Sequence, residues 1–292
     1  RNLDRQDITV DQATARFAHT FTDTLSIRNL TRWQRVAQAS QTSAPQGVYC
    51  LGNGFQPLPT NAIATTPLAC PAATTTAPAQ NRPNTYYPAG PRGFVRDQLN
   101  QLLYNQTDLR AAFNTFGLAH TFVLGASFAW EDYSILSGNL LRTANGTAVA
   151  QPPIDLVNPD TTYRGAVNFI RTGRSEGENT NAAIYAFDTI ALIPQLELSL
   201  GGRYENNRVE FRADTFNTTV GANLGAYTRG ALQVSDEELF SYRAGLNFKP
   251  TQMTSIYVSF GNSKTPTSAS VRAGCGTLIV AANGAVGDPC AV

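Results

Sequence analysis

The amino-acid sequence predicts an all-β fold, an antiparallel transmembrane β-barrel wall of about eight strands. Three observations predict it: several segments alternate apolar and polar residues with period two, short and long connections take strict turns, and charged residues make up only 15% of the chain. A soluble domain of ordinary composition carries roughly a quarter of its residues charged. Here Gly, Thr, Asn, Ala and Tyr take that place.

The strands follow in order. Ala13 to Phe21 and Leu25 to Trp33 alternate across the short turn Thr22-Asp23-Thr24. After a long irregular stretch, Leu109 to Phe113 leads through Phe116-Gly117-Leu118-Ala119 into His120 to Trp130, where Phe122, Leu124, Ala126, Phe128 and Trp130 oppose Thr121, Gly125, Ser127 and Glu131. Ala183 to Ala191 turns at Ile193-Pro194-Gln195 into Leu196 to Glu205, the clearest case. Its Leu196, Leu198, Leu200, Gly202 and Tyr204 share one face, and Glu197, Ser199, Gly201, Arg203 and Glu205 the other. Phe240 to Phe248 repeats the pattern and passes through Lys249 to Met253 into Ser255 to Phe260.

Long stretches at roughly 40–96, 136–179, 214–237 and 264–292 separate these hairpins. A compact soluble domain rarely holds several such loops, whereas a membrane barrel has short periplasmic turns and long extracellular loops. A soluble β-sandwich or solenoid shares the alternation but not this asymmetry, nor the lack of charge on the apolar faces. Phe21, Trp33, Trp130, Tyr133, Phe248 and Tyr257 stand near strand ends, where interfacial girdles form.

Composition excludes other classes. Net charge is +1 with Lys and Arg scattered, which disfavours nucleic acid as a partner. No run of about 18 apolar residues exists for a helical span; Ile184 to Leu200 is interrupted by Asp188, Pro194 and Glu197. The first residues show no leader and the last read as the inside of a loop, so both ends are expected to be cut from a longer product. Cys50, Cys70, Cys275 and Cys290 lack metal-ligand spacing and point to loop disulfides; neighbours Cys50 with Cys70 and Cys275 with Cys290 are favoured, with three pairings open.

No nucleophile motif, phosphate loop or metal motif occurs, so no enzyme, metal or cofactor is expected. A hydrolase built from His120 and distant partners is the minor alternative. His19 falls on the lipid-side register. Polar strand faces carry Arg28, Arg32, Arg110, Glu131, Arg203, Glu205 and Arg243, along with Arg16, Asp108 and Glu197, expected to line a wet lumen and form cross-strand ion pairs. In the loops Arg82, Tyr86, Tyr87, Arg92, Tyr163 and Arg164 are candidates to hold an anionic, ring-bearing ligand through cation-π and charge-assisted contacts, with Arg171 and Arg174 nearby. Asn-x-Thr triplets at Asn105, Asn145 and Asn217 match a glycosylation pattern that means nothing in a bacterium.

Specific runs carry a resemblance. Asn105-Gln-Thr-Asp-Leu109 with Phe113 to Gly125 and Trp130-Glu-Asp-Tyr133, then Tyr185 to Ile190 with Leu198 to Glu205, and above all Leu239 to Thr251 with Ser255 to Thr267, resemble barrel hairpins of TonB-dependent siderophore receptors, nearest to the catecholate branch. The resemblance touches all eight strands and weakens in the loops. It implies about a third of a 22-stranded barrel in the bacterial outer membrane, with residues 1–292 inside one barrel domain. It also implies uptake of a ferric siderophore, coupling to the TonB complex through a plug, contact with outer-membrane lipid and lipopolysaccharide, and a monomeric barrel. No plug domain, TonB box or closing aromatic strand is found in the chain. The alternative is a self-contained small barrel with a structural or adhesive role.

Overall fold

The structure, a computed structural model, describes residues 3–42, 47–57, 68–70, 83–88, 94–147, 149, 153–160, 162–251, 253–264, 279–280 and 286–287. Its strands are β1 (Arg5–Thr22), β2 (Leu25–Thr42), β3 (Gly47–Cys50), β4 (Thr85–Pro88), β5 (Phe94–Thr115), β6 (Leu118–Asn139), β7 (Ile154–Asp155), β8 (Ile170–Ile193), β9 (Leu196–Phe216), β10 (Tyr227–Thr228), β11 (Gln233–Thr251), β12 (Thr254–Gly261), β13 (Ile279–Val280) and β14 (Val286–Gly287). Eight long strands form one antiparallel sheet in the order β1-β2-β5-β6-β8-β9-β11-β12, with β10 added against β9. Each of the eight alternating segments lies inside one of these strands. β3, β4 and β7 make a separate small sheet, and β13 pairs with β14.

The strands run further than their alternating cores. β6 extends to Asn139 and β8 starts at Ile170, both within the 136–179 stretch expected to be irregular, while β5 starts at Phe94 and β11 at Gln233. The cause is physical. Beyond the hydrocarbon the outward face is no longer required to be apolar, so alternation fades while the backbone ladder continues.

Tight turns join β1 to β2, β5 to β6, β8 to β9 and β11 to β12. Between β5 and β6 only Phe116 and Gly117 remain, both with positive φ of 52° and 83°. Two successive left-handed residues match the right-handed twist of a hairpin, and Gly at the second position lowers the steric cost.

The two faces of the sheet are inverted relative to a soluble protein. Residues paired across strands point the same way, and the register places Asp108, Ser127, Tyr185, Glu205, Asn207, Val209, Phe211 and Ser235 together on one face, all buried. This is called the inner face below. The outer face carries Phe17, Trp33, Leu103, Phe113, Leu124, Phe128, Ile184, Leu200, Tyr204, Phe240, Leu246, Phe248, Ile256, Val258 and Phe260, all exposed. Polar groups are enclosed and large apolar groups face out.

The outer apolar band has clear limits. On β6 it runs from His120 to Trp130 and ends at Asp132; on β9 it runs from Leu196 to Tyr204 before Arg208; on β11 it occupies Phe240 to Phe248 below Glu238. Nine to eleven residues is the span a tilted strand needs to cross a bilayer. The sheet is open, with β1 and β12 as its edges.

Candidate functional site

The inner face holds a polar network built around one row. Arg28, Asp108, Gly125, Tyr185 and Arg203 lie side by side on β2, β5, β6, β8 and β9. Gly125 explains how the network crosses a strand. A Cβ there would collide with the Tyr185 ring, so the missing side chain lets the ring lie flat over β6 and its hydroxyl donate to Asp108 on β5. Gln106 Nε2 donates to the same hydroxyl at 2.7 Å and to both Asp108 oxygens at 3.2 Å. Arg28 Nη2 donates to Asp108 Oδ2 at 2.9 Å.

The arrangement repeats on the neighbouring strands. The Phe187 ring covers Gly201, and the Arg243 guanidinium sits 4.5 Å from its centroid. Arg203 lies 5.7 Å from the Tyr185 ring centre and donates to Glu205 at 2.8 and 3.0 Å. Asn181 reaches Glu205 at 3.4 Å and Asn207 at 3.3 Å. Enclosed carboxylates are tolerable here because each has charged or amide donors.

Every charged residue expected on one strand face is on the inner face by register: Arg28, Arg32, Arg110, Glu131, Arg203, Glu205 and Arg243. Tyr185, Gln106 and Asn207 escaped the sequence reading. The usable signal was a Gly inside an alternating strand, which marks a place where a neighbour's aromatic ring can lie.

The loop candidates are partly drawn together. β4 pairs with β7 through Thr85 with Asp155 and Tyr86 with Ile154, which ties the 40–96 and 136–179 stretches to each other. Tyr86 is buried, 4.7 Å from the Tyr49 ring, and Tyr87 pairs with Val48. Tyr163 is buried and donates its hydroxyl to Ala166 O at 2.9 Å. Arg164 donates to Asp160 at 2.9 Å, and this contact, with the Thr162 backbone N–H, holds the Asp160 carboxyl below its ordinary value. Cys50 and Cys70 are joined by a disulfide with Cα atoms 5.3 Å apart. Arg82, Arg92, Cys275 and Cys290 lie outside the described residues.

Polar groups interrupt the outer band at three places. Asn29 donates to Asn105 at 3.3 Å and Thr107 at 2.8 Å, Thr31 donates to Asn29 at 3.2 Å, and Asn105 donates back to Thr31 at 2.7 Å. The Asn105-x-Thr107 triplet is thus half of a cross-strand polar quartet. His120 Nδ1 meets Asp188 Oδ2 at 2.7 Å, with the Phe113 ring stacked on the imidazole at 5.0 Å. His19 sits between Phe17 and Phe21. Among the described residues no cluster of three His, Cys, Asp or Glu could hold a metal.

An open antiparallel sheet with an enclosed polar face and an outward apolar band one bilayer deep defines a wall segment of a membrane β-barrel. The family described as TonB dependent receptor-like, beta-barrel matches residues 1–287, and the chain belongs to that family of bacterial outer-membrane barrels. It is 26% identical over 274 residues to the catecholate siderophore receptor Fiu of Escherichia coli (strain K12), an alignment covering 90% of this chain and 31% of Fiu. The open-form crystal structure of Fiu, described as a ferric-catecholate import receptor, superposes with a TM-score of 0.67 at 23% identity, covering 91% of this chain and 37% of that one. The crystal structure of the siderophore receptor PiuA from Acinetobacter baumannii gives 0.58 at 18% identity, covering 88% of this chain and 32% of PiuA. Both superpositions show the shared fold. The chain spans about a third of the length of the relatives it matches.

Proposed function

We propose that the chain is a wall segment of a receptor that takes up ferric siderophores, of the catecholate type, using energy delivered by the TonB complex to a plug held elsewhere in the parent protein. The observation that supports it most is the inverted sheet, polar inside and apolar outside, in a chain whose relatives include Fiu and PiuA. Residues 1–292 then lie in a single barrel domain with the inner face on the lumen and the long connections toward the outside. The wall performs no chemistry and needs no cofactor.

In this reading Arg28, Arg32, Arg110, Glu131, Arg203, Glu205 and Arg243 face the lumen. Arg82, Tyr86, Tyr87, Arg92, Tyr163 and Arg164 serve the ligand from the loops. Since Tyr86 and Tyr163 are buried, these two engage a ligand only after the loop rearranges, whereas the Arg164 guanidinium, paired with Asp160, is exposed. The band meets lipid. A cleft of about 680 Å³, whose lining includes Arg35, Arg171 and Arg174 against one carboxylate, Asp97, with Leu136 and Phe216 beside them, suits a lipopolysaccharide phosphate next to an acyl chain. The parent acts as a monomeric barrel. A self-contained barrel of eight strands would pair β1 with β12, and these are the two sheet edges.

The test is uptake of radiolabelled iron(III)–catecholate by cells expressing the full-length parent, with and without a functional TonB. TonB-dependent accumulation is the expected result. Absence of accumulation of any ferric complex, with expression indifferent to iron starvation, refutes the proposal.

A further inference from the structure

The inner face is electrically lopsided. On β1, β2 and β5 it carries Arg16, Arg28, Arg32, Arg96 and Arg110 against one carboxylate, Asp108, whereas the outer face of the same strands mixes Arg5 and Arg35 with Asp7, Asp11 and Asp97. The arginines are also ordered. Thr14, Arg32 and Tyr104 share one row; Arg16, Leu30 and Gln106 the next; Ala18, Arg28 and Asp108 the third; Thr20, Ser26 and Arg110 the fourth. Each of four successive rows therefore holds one guanidinium, descending toward the tight-turn end of the sheet.

Only Arg28 among these four is committed, through Asp108. Arg16, Arg32 and Arg110 make no ion pair among the described residues, and the buried Nε of Arg32 has no partner. Successive rows are two residues apart, or about 7 Å along the strand. That is shorter than the screening length of about 8 Å at physiological salt. An anion leaving one guanidinium is already in the field of the next, so the series attracts without creating one deep trap, which is what passage along a lined path requires.

We propose that Arg32, Arg16, Arg28 and Arg110 form a cationic track on the lumen wall that carries an anionic iron(III)–catecholate complex from the outer end of the barrel to the periplasmic end. The inference rests on the uptake function proposed above and names residues for its translocation step. The cargo chemistry fits: iron(III) held by three catecholate dianions is a trianion with aromatic rings, and Tyr104 and Gln106 stand in the same rows as the guanidiniums.

The experiment uses the full-length receptor in the outer membrane and the iron(III) complex of 2,3-dihydroxybenzoic acid as probe. Surface binding is measured on de-energised cells and uptake rate on energised ones. Arg28 is left intact because its loss would strand Asp108. The triple variant Arg16→Gln, Arg32→Gln, Arg110→Gln should bind with unchanged Kd and take up the complex about tenfold more slowly, which corresponds to about 1.4 kcal/mol on the translocation barrier. Each single variant should slow uptake about twofold, and the triple Arg→Lys variant should restore most of the rate. Unchanged uptake in the Gln triple overturns the track. So does failure of Lys to restore the rate, which would mark a wall–plug packing role, and so does a parallel fall of binding and uptake in the single variants. If the unaltered receptor accumulates no ferric complex, the uptake function itself fails and the track with it.

Discussion

The inverted sheet makes a sharp demand on two adjacent residues of β11. Ala244 is the middle one of five outward residues, Phe240, Tyr242, Ala244, Leu246 and Phe248, and shares its row with Leu200 and Phe260. From Phe240 to Phe248 the strand rises about 27 Å, or about 20 Å along the membrane normal at a tilt near 40°. Ala244 thus stands about 10 Å from either edge of the band, close to the bilayer midplane. Gly245 is at the same depth on the opposite face, between Ser199 and Ser259, and a Cβ there meets only ordinary contacts at 3.6 and 3.7 Å. Ala244→Arg should cost about 2–4 kcal/mol, the cost of a lipid-facing cation at mid-depth, and Gly245→Arg within about 1 kcal/mol. Reversible urea unfolding of the full receptor in lipid vesicles, with heat-resistant mobility on cold gels as a second readout, measures both. Equal costs, or a larger cost at Gly245, would refute the assignment of the faces.

Two further outcomes follow from the same geometry. Tyr185→Phe keeps the ring over Gly125 but removes the hydroxyl between Gln106 and Asp108, and should cost about 1–3 kcal/mol in the same unfolding assay because two enclosed polar groups lose a partner; an unaltered midpoint would show the network to be dispensable. In the loop before β8, Asp160 has a lowered value in the folded state, so the order its carboxylate supports is present above the ordinary Asp value of about 3.9 and is lost as pH falls through the depressed one. Arg164→Ala should move the Asp160 titration back up toward the ordinary value, read by carboxyl carbon NMR, and no movement would mean the pair does not form in solution.

What was legible in the sequence is what lipid enforces. The run Leu196 to Glu205 alternates without error because one face of β9 meets hydrocarbon, and the same holds for Phe240 to Phe248 on β11. The half of β8 from Ile170 to Thr180 was not legible as strand because no hydrocarbon enforces a period there, and its residues, with two each of Gly, Glu, Arg and Thr, obey none. The inner-face charges could be assigned to a face from parity alone, but not to partners. Asp108 meets Tyr185 across an intervening strand, and nothing local to either residue reports that β5 and β8 flank β6. The role of the Asn105 triplet was not legible for a related reason: its meaning lies in Asn29 and Thr31, which are joined to it only through residues 43–93.

That last pairing bears on how such a wall finds its register. A one-residue slip between strands would turn the slipped strand's outward apolar residues to the inner face, so each pair must be specified. For β5 and β6 the two-residue turn does this, and among the described residues no side-chain hydrogen bond links them. For β2 and β5 the connection is far too long to set a register. There the side chains supply it from both faces, the Asn29, Thr31, Asn105 and Thr107 quartet outside and Arg28 with Asp108 inside. β9 and β11, also joined by a long connection, are held by Asn206 to Asp236 at 2.8 Å near one end and Lys249 to Glu197 at 2.9 Å at the other. β6 and β8 have His120 with Asp188 and Asn179 with Glu131. Polar groups in a lipid-facing band are costly unless satisfied, and their presence on β2 and β5 is explained by the fact that a one-residue slip of β5 would turn Asn105 and Thr107 to the inner face and leave Asn29 and Thr31 unpaired in hydrocarbon.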